Sequence, residues 1–507
     1  MFCRVLPAEV GATRQLSRKK QRMYLRFIVA ALLLIQLSSP VPARDRAESF
    51  IQALIANNDL QEFVDQSELE ISGRLGIQYE GVDNKFLISY DIEDSIKNGI
   101  NRGEIDYAID VSDLEGVYSK AILSVPELSY QKEFHFKDQR YISPISYYAR
   151  DWKRIDSKHF RFLISDTTLF NSYCIDNLER YLLKIAALLN FGDRELKELE
   201  TRKIYYLLCK DEEEIELITG FQTRGMYNLA YDFVITTFNA HYHELLHLLM
   251  NFKLQRLPLY THPFFQEGFA VAFGGRGGKE PDVILSLGSF LYNSKMLDYS
   301  SLLSRRGFYQ VNVSLSYPVS GLYSEFLVEQ IGIEKYLKLY RKYSGTADEV
   351  ERMKTDENEL PERAAWHEFI HDYSQKKPVD FRDSEIQAQM IYDGASARIS
   401  EDSLYYYFNL RDTLLVGADR SFREYQSKKF HNVFKNEEYQ GEKYLILANA
   451  NEISIYNLFT NNLIANYVSS FSESHAPVPS ENESYYFRVR KYVFDAELKS
   501  ILIDKND

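Results

Sequence analysis

The spacing of apolar residues changes along the chain and divides it. From Ala47, residues Phe50, Leu54, Leu60, Phe63 and Val64 recur at helical intervals and give way to short alternating runs such as Lys85-Phe-Leu-Ile-Ser-Tyr90, the pattern of a small α+β domain. Around Trp152 the pattern shifts: 160–164 reads as a strand, 174–189 as a helix and 203–209 as a second strand. A third strand, 232–238, runs into an apolar helix expected to begin near Asn239 as its N-cap. The mixed segment continues through a helix expected over 321–343 and on towards Tyr373. After Pro378, β-type runs at 443–448 and 485–490, with turn residues 449–451 between them, predict a β-rich module in which 470–484 is a loop. The implied domains are 44–150 (α+β), 151–377 (mixed) and 378–507 (β-rich), and no internal repeat is apparent.

The first 43 residues read as an export signal. Arg18, Lys19, Lys20, Arg22 and Arg26 precede the apolar run 27–37, and Val41-Pro42-Ala43 offers small residues for cleavage. Residues 23–43 alone contain all three regions of a signal, so Met23 is a candidate start. The apolar run is too short to span a bilayer as a helix, and no later segment qualifies, so no stable membrane span is expected after cleavage; retention as an anchor is the alternative. Periplasmic or extracellular localisation in a bacterium follows.

Composition narrows the function classes. The 507 residues exceed what one core usually serves, and 38 Tyr with 32 Phe supply ample apolar area for several. Without residues 1–43, which hold seven Arg or Lys and one Glu, the formal net charge moves from -13 to -19. An acidic protein with no clustered cations argues against nucleic-acid binding. Cys3 lies within the signal; Cys174 and Cys209, in apolar surroundings, either pair or remain buried thiols, and neither suits metal ligation.

His243-Glu244-Leu245-Leu246-His247 places two histidines four residues apart in an otherwise apolar run. On a helix this spacing leaves the imidazoles offset by about 40°, so both can reach one ion. Glu244 falls about 100° round the helix, beside a metal-activated water and outside the ligand set. Two histidines do not complete a catalytic zinc site, which has three protein ligands and one open position. A second helix, begun by Thr261 and Pro263 and ended by Gly274-Gly275, would bring Glu267 to face them.

This pattern, with Glu267-Gly268-Phe269-Ala270 following it, resembles the gluzincin peptidases, and most of all the peptidase MA-like metallohydrolases. The similarity covers about residues 150–345, including the strand 233–238 and Tyr317-Pro-Val-Ser-Gly321-Leu-Tyr323 before an apolar helix. It implies a gluzincin core, Zn²⁺ held by His243, His247 and Glu267, Glu244 as general base, and Tyr317 or Tyr323 at the oxyanion, Tyr317 being preferred. The implied activity is hydrolysis of a peptide or protein substrate. The absence of a Gly-x-Met-Glu-Asn-type segment favours an endopeptidase over an aminopeptidase. The alternatives are an inactive relative used for binding or assembly, and a zinc hydrolase of a non-peptide amide or cell-wall substrate; neither oligomeric state nor the flanking domains' role is legible.

A second match, His367-Glu368-Phe369-Ile370-His371, lies in a more polar stretch and lacks the Glu-Gly-aromatic-Ala segment, so it is expected to be a solvated helix. His241, about 200° from His243 if helical, is expected to face away; His262 falls in the connecting turn. The acidic run 211–214 suits a solvated helix start.

Overall fold

The computed structural model describes residues 43–377, except Ser89, 294–296 and Asn312, and, beyond 377, strands and adjoining turns between 396 and 503. Apart from Ala43, the proposed signal, Met23 and Cys3 included, lies outside the described residues, as do the 449–451 turn and the 470–484 loop. The fold is mixed α+β. Contacts divide it into two units. One comprises the described residues up to Ser72 with Phe86–Asp151 and Leu217–Gly220; the other comprises Gly73–Lys85 with Trp152–Glu216 and everything from Phe221 onward. The sequence pattern carries no sign that 73–85 leaves one unit for the other.

In the first unit, helix α1 (Ala43–Ile55) buries Ala47, Phe50, Ile51 and Leu54, one stripe at helical spacing. The short strand β1 (Gln78–Tyr79) comes next in the chain and belongs to the second unit. The first unit resumes with an antiparallel sheet of β2 (Ala108–Asp113), β3 (Tyr118–Val125), β4 (Tyr130–Lys137) and β5 (Arg140–Ile142). Phe50 stacks on Tyr141 at 4.8 Å and meets Phe134 and Phe136 edge-on, so an aromatic cluster joins helix to sheet. The run 85–90 is not a strand: Lys85–Leu87 forms a 3-10 turn with Phe86 and Leu87 buried. Alternation over so few residues does not distinguish the two.

The second unit is built on a five-stranded sheet in the order β6-β7-β8-β10-β9. Strands β7 (Phe160–Ile164), β8 (Ile204–Leu208) and β10 (Phe233–Thr236) are parallel, while β6 (Lys153–Asp156) and β9 (Gly225–Asn228) run antiparallel at the two edges. All four residues of β10 are buried, as expected of a strand covered on both faces. Helix α2 (Tyr173–Leu188) crosses from β7 towards β8 and buries Cys174, Leu178, Tyr181, Leu182 and Ile185. Beyond Phe221 the longer helices are α3 (Tyr242–Leu254), α4 (Pro263–Gly274), α5 (Pro281–Asn293), α6 (Val313–Ile331), α7 (Ile333–Lys342) and α8 (Arg363–Lys376). Beyond 377 the described strands form antiparallel sheets, of four strands from Ser396–Ile399 to Ser421–Gln426, four from Val433–Tyr439 to Leu463–Val468, and three from Tyr486–Val489 to Ser500–Ile503. No described helix is long and apolar enough to cross a membrane.

The helix expected over 321–343 is two helices. α6 begins at Val313 and contains Pro318, and Gly332, at φ +77, separates it from α7. The proline marks no boundary here; it costs one intrahelical bond, and the buried packing of Val319, Leu322, Phe326 and Leu327 offsets the loss. Cys174 and Cys209 are buried and unpaired, and burial pushes the Cys174 thiol up to about 11.

His135, on β4, is 2% exposed, stacks on Tyr147 at 4.6 Å, and neither ring nitrogen has a hydrogen-bond partner. Burial lowers its pKa to about 4. A histidine held below its unfolded value of about 6.5 imposes no penalty above that pH and an increasing one as pH falls towards 4. The first unit should therefore lose on the order of 3 kcal/mol over this window from His135 alone. His135→Phe, which keeps the stack, should flatten the fall in melting temperature between pH 6.5 and 4; an unchanged slope would refute the assignment.

Candidate metal centre

α3 carries the first motif. It starts at Tyr242 with His241 as N-cap, two residues later than the Asn239 cap that the sequence suggests. Asn239 is engaged elsewhere: its side chain accepts from Asn171 N at 2.6 Å and donates to Leu169 O at 2.9 Å, pinning the neighbouring loop. The helix is buried nearly all round, with His243, Leu245 to Phe252 enclosed. Two imidazoles in such a helix need a partner, since an unsatisfied buried polar group is costly.

α4 supplies the facing carboxylate. Pro263 stands at its first position, and His262 caps it by accepting from Phe264 N. The Glu267-Gly268 pair explains its placement. A Cβ at Gly268 would lie 2.5 Å from Ser324 Oγ and 2.7 Å from Ser320 O, so only glycine lets α4 approach α6 this closely. At the other end, a Cβ on Gly274 would sit 3.0 Å from the His243 backbone. Gly275 takes φ +72, and its carbonyl accepts from His243 Nδ1 at 2.9 Å. The chain reversal that ends α4 thus also orients the first histidine.

The three donor atoms converge. His243 Nε2 lies 3.2 Å from His247 Nε2 and 3.2 Å from Glu267 Oε2, and His247 Nε2 lies 3.6 Å from the same oxygen. Tetrahedral zinc with bonds of about 2.0–2.1 Å would hold its ligands about 3.3 Å apart. Because a carbonyl only accepts, His243 Nδ1 carries the hydrogen and Nε2 presents its lone pair towards the cluster, the arrangement a metal-binding histidine requires. Although burial alone would raise it, the Glu267 carboxyl is held well below the usual carboxylate range by the two imidazoles. For His247, burial lowers the pKa but Glu267 outweighs it, so the net shift is upward. Two neutral imidazoles and a carboxylate fit a divalent zinc-type ion. Among the described residues, this is the one group of three such donors within 4.8 Å of one another.

A cavity of about 370 Å³ opens over the cluster. Glu244 lines it without joining the ligand set, and its Oε2 accepts from the backbone N–H of Tyr227 on β9 at 2.8 Å. Tyr317 lines it as well; its ring centroid is 6.5 Å from that of His243, and the Arg276 guanidinium lies 3.7 Å over its face. Tyr317 sits inside α6, not at a helix start. Tyr323 does not reach the cavity. One and a half turns further on, its ring stacks on Tyr299 at 4.2 Å and packs against Trp366 and Phe326, which removes it from the candidate oxyanion residues.

His241 also departs from expectation. Lying outside the helix, it does not follow the helical wheel; it lines the cavity, with Nδ1 3.0 Å from Thr236 Oγ1. His262 is fully buried as a cap and does not line it. In the second motif, on α8, His367, Glu368 and His371 are all exposed. The larger cavity nearby, about 460 Å³, is lined by Glu368 with Glu325, Asp372 and two lysines, but by neither histidine. The contacts of Tyr227, Gly275 and Arg276 were not legible beforehand, because each acts through backbone or through a neighbour distant in sequence.

No family model, curated protein or solved structure matches the chain. What supports a metal at this site is its own geometry. The expected stoichiometry is one zinc per chain by mass spectrometry of the purified protein. Glu267→Ala should weaken zinc by more than about 100-fold, beyond the usual loss of a supporting partner alone, whereas His367→Ala/His371→Ala should retain it. Zinc retained in the first variant, or lost in the second, would refute the assignment.

Proposed function

We propose that the chain is a zinc-dependent metallohydrolase of the gluzincin type, acting on peptide bonds as an endopeptidase. The observation that carries this reading is the convergence of His243, His247 and Glu267 beneath a cavity that Glu244 also lines. His243, His247 and Glu267 would hold the ion, which when bound supplies a Lewis acid that polarises a carbonyl and acidifies water.

The remaining chemistry belongs to the protein. Glu244, a carboxylate at the cavity wall, takes the proton of the attacking water and passes it to the leaving amine. Its Oε2 is engaged by the Tyr227 N–H, which leaves Oε1 as the basic oxygen. Strand β9 is the sheet edge beside the cavity, and Gly225, Met226 and Tyr227 line it. An extended peptide laid along this edge would gain backbone hydrogen bonds and carry its scissile carbonyl past the cluster. Tyr317 is the preferred donor to the developing oxyanion. Export through the 1–43 segment, to the periplasm or cell exterior of a bacterium, belongs to the same proposal.

Glu244→Gln should keep zinc at wild-type content and lower kcat by at least about 10³-fold on a fluorogenic peptide library, the upper part of the range for losing a general base. Undiminished turnover would overturn the base assignment. Tyr317→Phe should lower kcat by about 10²-fold with little change in KM, as for loss of one oxyanion donor. Tyr323→Phe should leave kcat within about twofold. If no peptide is cleaved while zinc binds normally, wall fragments and non-peptide amides become the substrates to screen.

A further inference from the structure

Strand β9 is paired on one side only, yet it holds Glu244 through one of its backbone amides. Something must fix that amide. The Tyr227 hydroxyl belongs to a buried polar chain. It donates to Asp232 Oδ1 at 2.6 Å and lies 2.9 Å from the Tyr79 hydroxyl, which also receives the Asn251 amide at 3.3 Å. The other oxygen of Asp232 pairs with Lys85 Nζ, which also donates to Ile77 O at 3.1 Å. Asp232 is fully buried in the turn between β9 and β10, at φ +55, a conformation that Asp tolerates better than most residues. Asn251 lies one turn beyond His247 on α3. The chain of contacts therefore reaches the motif helix twice, at Glu244 through the Tyr227 amide and at Asn251 through Tyr79.

Tyr79 and Lys85 come from segment 73–85, which is stitched to this unit by further contacts. β1 pairs in parallel with Arg256–Leu257, immediately after α3. Arg74 donates to Arg202 O at 2.7 Å and lies 4.2 Å over the Tyr205 ring. Stability alone does not call for the Lys85 and Asp232 charges. Burial raises the Asp232 pKa and lowers that of Lys85, so desolvation opposes both charged forms, and an apolar pair of similar volume commonly serves as well. A charged pair does, however, impose direction on the hydroxyl that it binds.

Resting on the reading of Glu244 as general base, we propose that Tyr227 is a positioning residue for it, and that Lys85 and Asp232 lock Tyr227 in place. The strap 73–85 is thus part of the active unit although it contributes no group to the cavity. A base displaced by a fraction of an ångström loses rate without losing substrate affinity, and the ligand triad, held by α3, α4 and Gly275, is left intact.

The test uses the full chain and compares Tyr227→Phe, Lys85→Met and Lys85→Arg with Ile185→Val, a core substitution on α2 outside this network. Three measurements are made: zinc affinity by chelator competition, peptide-cleavage kinetics giving kcat and KM, and deuterium uptake over 225–228 in metal-free protein. For Tyr227→Phe and Lys85→Met, zinc affinity and KM should stay within about twofold while kcat falls by about 10²-fold, the cost of a small misplacement. Uptake at β9 should quicken by at least about tenfold. Lys85→Arg should recover most of both, and Ile185→Val should lose stability without losing kcat per bound zinc. Wild-type kcat in zinc-loaded Tyr227→Phe would overturn the proposal, as would unchanged β9 uptake. Should Lys85→Met fail to fold, Tyr227→Phe decides. Should the wild type cleave no peptide, the function proposed above fails, and the uptake arm still decides whether Tyr227 is locked through Lys85 and Asp232.

Discussion

A carboxylate and two imidazoles packed within 3.2–3.6 Å of one another, largely out of water, set the terms for everything around them. Such a group needs positive charge in its midst. The two imidazoles hold the Glu267 carboxyl well below the usual carboxylate range, and Glu267 in turn draws the His247 pKa upward against the effect of burial. A divalent cation would meet the same need with more charge and with the spacing already present. On the proposed reading the arrangement would cost less with an ion than without one, which would account for two imidazoles in so apolar a helix.

The scaffold is organised to hold these atoms close. Gly268, midway along α4, and Gly274, its last residue, let the helix lie close against α6 and the start of α3; a Cβ would fall 2.7 Å from backbone at the first and 3.0 Å from it at the second. Gly275 then turns its carbonyl onto His243. Tyr181 on α2 adds a stay from outside, stacking on Tyr242 at 4.3 Å and donating to Phe273 O at 3.1 Å, so that the beginning of α3 and the end of α4 are clamped by one side chain. Other aromatic side chains join these helices as well. Phe265, Phe269 and Tyr336 pack between helices, and Tyr323, Tyr299 and Trp366 pack on one another.

Glu244 obeys a different constraint. Its backbone is fixed by α3, but its carboxylate is set by the sheet, through one amide of an edge strand. The proposed chemistry thus depends on helices for the ion and on the sheet for the base. The two are joined through Asn251 and Tyr79 by a segment that the chain donates from far upstream.

Much of this was legible from residue order alone. Spacing of four on a helix, Pro near a helix start and Gly at its end are local rules, so the strands at 160–164 and 204–208, the helix α4 and the approach of Glu267 to the histidines could be anticipated from neighbours along the chain. The rest depended on contacts between residues distant in sequence. Asn239 was engaged by a loop seventy positions earlier and so did not cap α3; Pro318 stayed inside α6 because the surrounding core favoured helix. His241 entered the cavity by lying just outside the helix, and Tyr323 left the candidate set because a stack with Tyr299 and Trp366 took its ring. Sequence determined which groups a single helix could present to an ion; only the tertiary structure decided which tyrosine, carbonyl and amide would meet them, because those partners are brought together by packing across the whole unit.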